Sequence, residues 1–373
     1  MKITRIQGWR IAPPHDVWHL LSITTASGLV GWGEFTGSGH DAAAAAICRE
    51  SAMELLGGDA LDLEACLLPY RRFRYPPLDD KIAAVAWSAI AQALWDIRAQ
   101  AFGQPLCRLL GGTPRAVQLY ANLNRGLFRN RSPEAHADHA AQALAGGFAA
   151  AKCTPFDEVT PAAVGTDSYA PAMARLRAAA AAVDSGRIAI DCHCRFTPAM
   201  ADAMLRELET LGRFAWIEDI IQPCHHGRMP ELRHNHPETI WGGGEETVRM
   251  DDALALLGGD ARPDIFMPDI KYVCGLDDYA AITRAAEARG CRIYPHNPSG
   301  PVSLAFSAHM ATLSPDSMVE YPFMAVTGQA ALCSPYERVE NGRYHLDDRP
   351  GLGVGPSPEC LAGYGKHVFD ATL

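Results

Sequence analysis

Three carboxylates recur at a constant spacing in the middle of the chain, and they are of a type that binds metal ions. Asp191, Glu218 and Glu245 are separated by 27 and 27 residues. Mg²⁺ prefers such hard oxygen ligands, and carboxylates brought together without a cation repel one another. Salt bridges to lysines or arginines are the alternative, but only Lys152 stands at a comparable position. The spacing therefore predicts a Mg²⁺ site, with Mn²⁺ as the alternative ion.

A histidine and an aspartate follow the three carboxylates along the chain. Asp269 and His296 are again 27 residues apart. A carboxylate bonded to one imidazole nitrogen fixes the tautomer and raises the pKa of the other nitrogen, which gives a general base. His193, two residues after Asp191, is expected to face this base. Such a set suits removal of the α-proton of a carboxylic acid, because a metal ion and the Lys152 ammonium would stabilise the resulting dianion.

Eight short apolar runs must position these residues. The runs begin 24 to 39 residues apart, which is the length of one strand-loop-helix-loop unit. Eight such units predict a (β/α)8 barrel with its chemistry at the carboxyl ends of the strands. An open doubly wound sheet is the alternative, but neither GxGxxG nor a Walker motif follows any run. The runs are 118–122, 149–153, 188–193, 215–220, 239–245, 264–269, 291–296 and 317–321.

The chain on either side of the barrel has a different pattern. Runs 19–25 and 29–34 are strand-like and are joined by a turn at Ser27-Gly28, and an alanine-rich helix is predicted over 81–101. We expect an α+β unit over 1–115 and the barrel over 116–336. The remaining segment, 337–373, contains a hairpin signal at Asn341-Gly342 and is expected to pack back on the N-terminal unit.

Composition excludes several classes of protein. The chain has 373 residues, of which 48% are hydrophobic and 20% charged, an ordinary globular mixture. The net charge of −10 repels nucleic acid and anionic lipid. No apolar run approaches the roughly 18 residues of a membrane span, and the start of the chain is typical of a strand. We therefore expect a cytoplasmic protein with a small-molecule partner, no nucleic acid and no membrane.

Eleven cysteines are scattered without a disulfide pattern, so reduced thiols are expected. One cluster, Cys192-His193-Cys194 with Cys224-His225-His226, raises the alternative of a zinc site and a zinc hydrolase. No CxxC pair supports it, and strand alternation separates Cys192 and Cys194 from the face of Asp191.

Several motifs together resemble one known family. The chain is similar over essentially its whole length to the enolase superfamily, in its mandelate racemase-like subgroup. The resemblance implies a modified TIM-type barrel with an N-terminal capping domain, and a homo-oligomer. The motifs are SAIAQALWDI at 88–97, GQP at 103–105, LLGG at 109–112, WIED at 216–219, GE at 244–245, MPDIK at 267–271, PHNPSGP at 295–301 and PGLG at 350–353.

The resemblance also implies roles for individual residues. Asp191, Glu218 and Glu245 match the Mg²⁺ ligands of the family. His296 with Asp269 matches its general-base dyad. Glu320 corresponds to the acid that hydrogen-bonds the substrate carboxylate, and Lys152 to the first lysine of a Lys-x-Lys motif.

The spacing of Asp191 and His193 is similar to that of the acid-sugar dehydratases, in which this histidine protonates the departing β-hydroxyl. The second lysine of the Lys-x-Lys motif is replaced by Thr154, which cannot accept a proton at neutral pH. We therefore expect a dehydratase that forms a 2-keto acid. A racemase or epimerase, a dehydratase of a β-hydroxy amino or imino acid, and a non-catalytic binding barrel are the alternatives.

Substrate contacts are expected from two loops. The loop 12–18 supplies His15 and Trp18, the latter as an aromatic wall. The end of the first barrel strand supplies Asn122 and Asn124 for hydroxyl groups, together with Tyr120. The neighbouring Arg125 is expected to bind a distal carboxylate.

Overall fold

The computed structural model describes residues 1–37, 39–72, 81–160, 168–326 and 328–373. An antiparallel sheet in the order β16-β1-β2-β3 and three main helices form the N-terminal unit. Helix α3 can lie close to β3 because Gly31 and Gly33 have no side chains: a Cβ at either would lie 2.0 Å from a backbone oxygen of the helix. The elements are β1 (Ile3–Ile11), β2 (Trp18–Thr25), β3 (Val30–Glu34), α1 (Asp41–Leu55), α2 (Leu63–Arg72), α3 (Lys81–Ala101), α4 (Leu106–Leu109) and β16 (Gly365–Thr372).

Eight parallel strands follow, one overlapping each predicted run, which confirms the predicted barrel. Seven pair in sequence order, and the eighth pairs with the first. Between β10 and β11 the barrel closes through single hydrogen bonds, such as Glu320 N to the Pro295 carbonyl at 3.2 Å. The strands are β4 (Ala116–Asn122), β5 (Ala151–Cys153), β6 (Ile188–Asp191), β7 (Trp216–Glu218), β8 (Trp241–Gly243), β9 (Ile265–Phe266), β10 (Arg292–Ile293) and β11 (Met318–Pro322).

Helices cover the outside of the barrel. Ser132 and Thr197 cap two of them through their side-chain oxygens, and a proline follows each cap, an order of residues that favours the start of a helix. The helices are α5 (Asn124–Leu127), α6 (Pro133–Ala145), α7 (Tyr169–Ala182), α8 (Pro198–Glu209), α9 (Met229–Asn235), α10 (Met250–Gly258), α11 (Leu276–Glu287) and α12 (Pro301–Ala311).

The C-terminal segment contacts both units. The predicted hairpin forms at Asn341-Gly342, but it pairs antiparallel with β4 of the barrel, and only β16 joins the N-terminal sheet by pairing with β1. Gly342 allows this arrangement, because a Cβ there would lie 2.2 Å from the backbone of Gly147. The elements are β12 (Cys333–Ser334), β13 (Val339–Glu340), β14 (Arg343–His345), β15 (Gly355–Pro356) and α13 (Pro358–Tyr364).

All eleven cysteines are free thiols, and nine of them are buried. Within the described ranges, no helix combines the length and the apolar character needed to cross a bilayer.

Candidate active site

The three spaced carboxylates meet at the carboxyl ends of adjacent strands. Asp191 and Glu218 are the last residues of β6 and β7 and are paired in register, and Glu245 stands two residues after β8. One carboxylate oxygen from each lies within 4.8 Å of the others. Asp191 and Glu218 are buried and Glu245 is half-buried. Three carboxylates this close repel one another, so the donor set fits a hard divalent cation.

Lys152, at the second residue of β5, is the buried cation nearest to this group. Its Nζ lies 3.2 Å from Asp191, 3.0 Å from Glu218 and 2.9 Å from Glu320. Burial alone would lower the pKa of Lys152, but these carboxylates raise it well above the usual value. The lysine therefore stays charged.

The remaining charges at the mouth leave an excess of acid. Asp191, Glu218, Glu245, Asp269 and Glu320 are five carboxylates, whereas the two buried lysines in contact with them are Lys152 and Lys271. Burial raises the pKa of Glu218 to about 8, with Asp191 and Glu320 adding to the effect and Lys152 opposing it. A bound dication would remove this penalty, which is the second reason that the site fits a metal ion.

The predicted Asp-His pair forms just after the next two strands, β9 and β10. His296 Nδ1 lies 2.8 Å from Asp269 Oδ2, and the opposite ring nitrogen, Nε2, lies 3.0 Å from Glu245. The same Asp269 oxygen is 2.6 Å from Lys271 Nζ, a contact that sequence analysis missed. Burial would raise the pKa of Asp269, but Lys271 and His296 lower it, so the carboxylate stays ionised. Burial would lower the pKa of His296, but Glu245, Glu320 and Asp269 raise it well above its usual value.

Glu320, on β11, is held from several sides. It accepts hydrogen bonds from the Asn122 amide at 2.5 Å, the Asn297 backbone N–H at 3.1 Å and the Tyr120 hydroxyl at 3.3 Å. Burial would raise its pKa, but Lys152 and His296 lower it. The predicted substrate contact Asn122 is therefore already bonded through its amide nitrogen to the acid beside the mouth.

His193 reaches the site by a turn rather than by continued strand alternation. Strand β6 ends at Asp191, and His193 adopts a left-handed backbone with φ of 44°. Its Nδ1 lies 2.7 Å from Asp157 Oδ1 and its Nε2 lies 3.2 Å from Asp191 Oδ2. Burial would lower the pKa of His193, but Asp191 and Asp157 raise it to about 11.

Asp157 was not predicted as a site residue from the sequence. The regular strand spacing does not connect it to His193, since it lies in the loop after β5 and 36 residues earlier in the chain. Its position three residues after Thr154, where the resemblance already indicated a departure, is the one signal that the sequence offers.

The other residues expected to contact the substrate lie on α5 and in the loop between β1 and β2. Asn124 Oδ1 accepts a hydrogen bond from Arg131 Nη1 at 3.0 Å. Arg125 is exposed, and its Nη1 lies 3.6 Å from Asp16 Oδ1. His15 is exposed and its Nδ1 lies 2.6 Å from Arg129 Nη2.

Trp18 does not form the expected open aromatic wall. Its side chain is 1% exposed, and its Nε1 donates to Asp16 Oδ2 at 3.2 Å. The ring packs against Gly300, where a Cβ would lie 2.8 Å from Trp18. Trp18 therefore joins the capping sheet to the loop after β10.

The alternative of a zinc centre is not supported by the described ranges. There, the one group of His, Cys, Asp and Glu side chains with ligand spacing is the Asp191, Glu218 and Glu245 set. Cys192 is buried and Cys224 is exposed, so the two cysteine segments do not share one environment.

Two sequence families match the chain. Residues 15–111 match the mandelate racemase/muconate lactonizing enzyme N-terminal domain, and residues 135–360 match the enolase C-terminal domain-like family.

Among curated relatives, D-galactonate dehydratase from Verminephrobacter eiseniae is 30% identical over 95% of this chain and 92% of its own length. D-gluconate dehydratase from Thermoproteus tenax is 26% identical over 92% of this chain and 69% of its own length. Among solved structures, an enolase from Agrobacterium radiobacter with sodium and L-malate bound superposes with a TM-score of 0.82, at 24% identity over 98% of this chain and 95% of that one.

Proposed function

The chain belongs to the mandelate racemase/muconate lactonizing enzyme family of the enolase superfamily, and from this premise we propose a mechanism for an acid-sugar dehydratase. As a dehydratase it is a hydro-lyase, which eliminates the β-hydroxyl as water and yields a 2-keto acid. We propose Mg²⁺ as its cation, held by Asp191, Glu218 and Glu245. Their all-carboxylate donor set supports this choice.

One observation carries the mechanism: two carboxylate-bound histidines flank the metal-binding acids. His296 Nε2 lies 3.0 Å from Glu245, which follows β8, and His193 Nε2 lies 3.2 Å from Asp191, which ends β6. A single acid-base pair on each flank suits a reaction in which one group takes a proton and the other gives one.

A divalent cation held by the three acids would supply positive charge against the carboxylate of the substrate. The Lys152 ammonium adds a fixed charge of the same sign in a buried site, where such a charge acts strongly. We propose that Glu320, fixed by Asn122, Asn297 and Lys152, holds the substrate carboxylate through a shared proton, since two ionised carboxylates would repel each other.

The proton transfers follow from the two histidines. The neutral form of His296 takes the α-proton at Nε2, and Asp269 at Nδ1 keeps the ring oriented and stabilises the imidazolium. A cation engaging Glu245 would compete for the carboxylate that faces Nε2 and so favour this neutral form. The electron pair of the broken bond forms the enediolate. His193 gives its Nε2 proton to the β-hydroxyl, which leaves as water, and the enol product ketonises to the 2-keto acid. Thr154 offers no second base, which disfavours racemisation.

The test is a substrate panel. Purified protein with Mg²⁺ is incubated with D-galactonate, D-gluconate, galactarate and other sugar acids, and 2-keto products are detected as semicarbazones. We expect product from at least one acid. A folded, metal-loaded protein that gives no keto acid across the panel would contradict the proposal.

Two variants separate the roles of the histidines in D₂O. His296→Asn is expected to lose both elimination and exchange of the α-proton. His193→Asn is expected to lose elimination while still exchanging the α-proton. Equal loss of both reactions in His193→Asn would remove His193 from the proposed acid role.

We also propose the unit boundaries 1–115, 116–336 and 337–373, with only the end of the last segment completing the capping sheet. We propose a cytoplasmic location, since eleven free thiols suit a reducing compartment. The net charge of −10 disfavours nucleic acid and an anionic membrane surface as partners.

A further inference from the structure

A second carboxylate–imidazole pair lies across the mouth from the Asp269–His296 pair. Asp157 Oδ1 is 2.7 Å from His193 Nδ1, a distance typical of a charge-assisted hydrogen bond. Asp157 is not one of the carboxylates that would hold the metal ion. The second acid beside the His193 ring, Asp191, is one of the proposed metal ligands. Of these two contacts, the one to Asp157 is therefore the one with which a bound cation would not compete.

The Asp157 carboxylate is itself fixed. Its second oxygen, Oδ2, accepts hydrogen bonds from Arg131 Nη1 at 2.9 Å and from Thr154 Oγ1 at 3.2 Å. Arg131 in turn donates to the Thr154 carbonyl and to Asn124 Oδ1. Oδ1 is thereby left to face the imidazole, since the groups on Oδ2 set the plane of the carboxylate.

The backbone of His193 is fixed independently. The residue has φ of 44°, and its N–H donates to Asp191 Oδ1 at 3.0 Å. With the main chain held and Nδ1 bonded to Asp157, the ring can present only Nε2 to the mouth. The tautomer follows as well, because a hydrogen on Nδ1 is required to bond the carboxylate.

We propose that Asp157 is a positioning residue that makes His193 the proton donor to the departing β-hydroxyl; the inference rests on the proposed dehydratase function. In the step, His296 takes the α-proton and the Cα–H electron pair forms the double bond. The Cβ–O bond breaks, and the oxygen leaves with the His193 Nε2 proton as water. The neutral His193 that results keeps the hydrogen on Nδ1, which stays hydrogen-bonded to Asp157.

Thr154 has a defined part in this arrangement. Its hydroxyl and its carbonyl both contact the Asp157–Arg131 pair, at the position where the resemblance led us to expect a second lysine. The side chain that replaces the expected lysine therefore supports the acid partner of His193.

The test is Asp157→Asn, which keeps the shape of the side chain and removes its charge. Elimination of water from the acid accepted in the panel is expected to fall by about 100-fold or more, the usual contribution of a general acid. Exchange of the α-proton in D₂O should change less than about threefold, because His296 and Asp269 are untouched. The matched control is Glu158→Gln, which alters the adjacent acid that contacts Arg131 and Arg175 but does not touch His193.

A second substrate keeps the test decisive. The β-fluoro analogue of the same acid loses fluoride as an anion, which needs no donated proton. Asp157→Asn should release fluoride at a rate within about fivefold of the unaltered protein. Unchanged elimination of water in Asp157→Asn would overturn the proposal, as would a parallel loss of exchange, water elimination and fluoride release. If the unaltered protein neither exchanges the α-proton nor eliminates water, the proposed dehydratase function itself has failed. That result is distinct from a failure of the role proposed for Asp157.

Discussion

Glu34 Oε1, on the capping sheet, accepts a hydrogen bond from the backbone N–H of Gly300 at 2.7 Å, and its Oε2 accepts one from Ser303 N–H at 2.8 Å. These two donors belong to the beginning of α12, four to seven residues after His296. The capping unit is therefore bonded directly to the segment that follows the proposed base.

Glu34→Gln tests this connection. An amide replaces one of the two acceptor oxygens with a donor that faces another N–H, so the variant should lower the free energy of unfolding by about 1–3 kcal/mol. Urea denaturation measures the change. Glu359→Gln, an exposed acid in the first turn of α13, is the control and should change stability by less than about 0.5 kcal/mol. Equal effects in the two variants would contradict the assigned role of Glu34.

Lys271→Met tests the contact that the sequence did not predict. Lys271 Nζ lies 2.6 Å from Asp269 Oδ2, and both side chains are buried. Removing the ammonium leaves the buried Asp269 carboxylate with His296 as its remaining cationic partner. The free energy of unfolding should therefore fall by about 3 kcal/mol. Slower α-proton exchange should accompany the loss.

The control for Lys271 is Arg108→Met. Arg108 pairs with Asp348 on the exposed surface, so its loss should cost at most about 1 kcal/mol. A Lys271→Met variant as stable as the Arg108→Met variant would show that the buried pair has no special weight.

Metal removal tests the centre of the site. EDTA should abolish elimination and α-proton exchange together, and added Mg²⁺ should restore both. Bound ion at 100 times its Kd should raise the free energy of unfolding by about 2.7 kcal/mol, measured as a rise in Tm. Asp191→Asn should lose this response, whereas Glu246→Gln, exposed and paired with Lys81, should retain it. Full turnover in EDTA would exclude the proposed role of the three acids.

Glu337 predicts a pH dependence of stability. Burial raises the pKa of Glu337 to about 8, and the Gln329 side chain opposes this only in part. An acid with a raised pKa in the folded state gives stability that is complete below its unfolded pKa, near 4.5, and is lost as the pH rises through about 8. The 3.5-unit difference corresponds to at most about 5 kcal/mol.

Glu337→Gln should therefore match the unaltered protein at pH 4.5 and exceed it at pH 9, as measured by urea denaturation at both values. Glu340→Gln, an exposed residue of the same segment, should show no such divergence. A constant difference between Glu337→Gln and the unaltered protein across this range would contradict the assignment.

The sequence by itself determined the barrel and most of the site. Periodic apolar runs specified the strands, and the ends of parallel strands must meet at one edge, so Asp191, Glu218 and Glu245 were predictable as a group. The pair of Asp269 and His296 followed for the same reason. Local signals such as Ser132 before a proline also specified helix starts, because a cap depends only on neighbouring residues.

Only the tertiary structure decided the contacts made by loops. Lys271 and Asp157 stand outside the strands, where neither periodicity nor spacing fixes the direction of a side chain, and His193 turns on a left-handed backbone that alternation does not anticipate. The expected aromatic wall at Trp18 proved to be buried against Gly300. A strand repeats one geometry along its length, whereas a loop takes its conformation from whatever packs against it, and that information is spread over residues far apart in the chain.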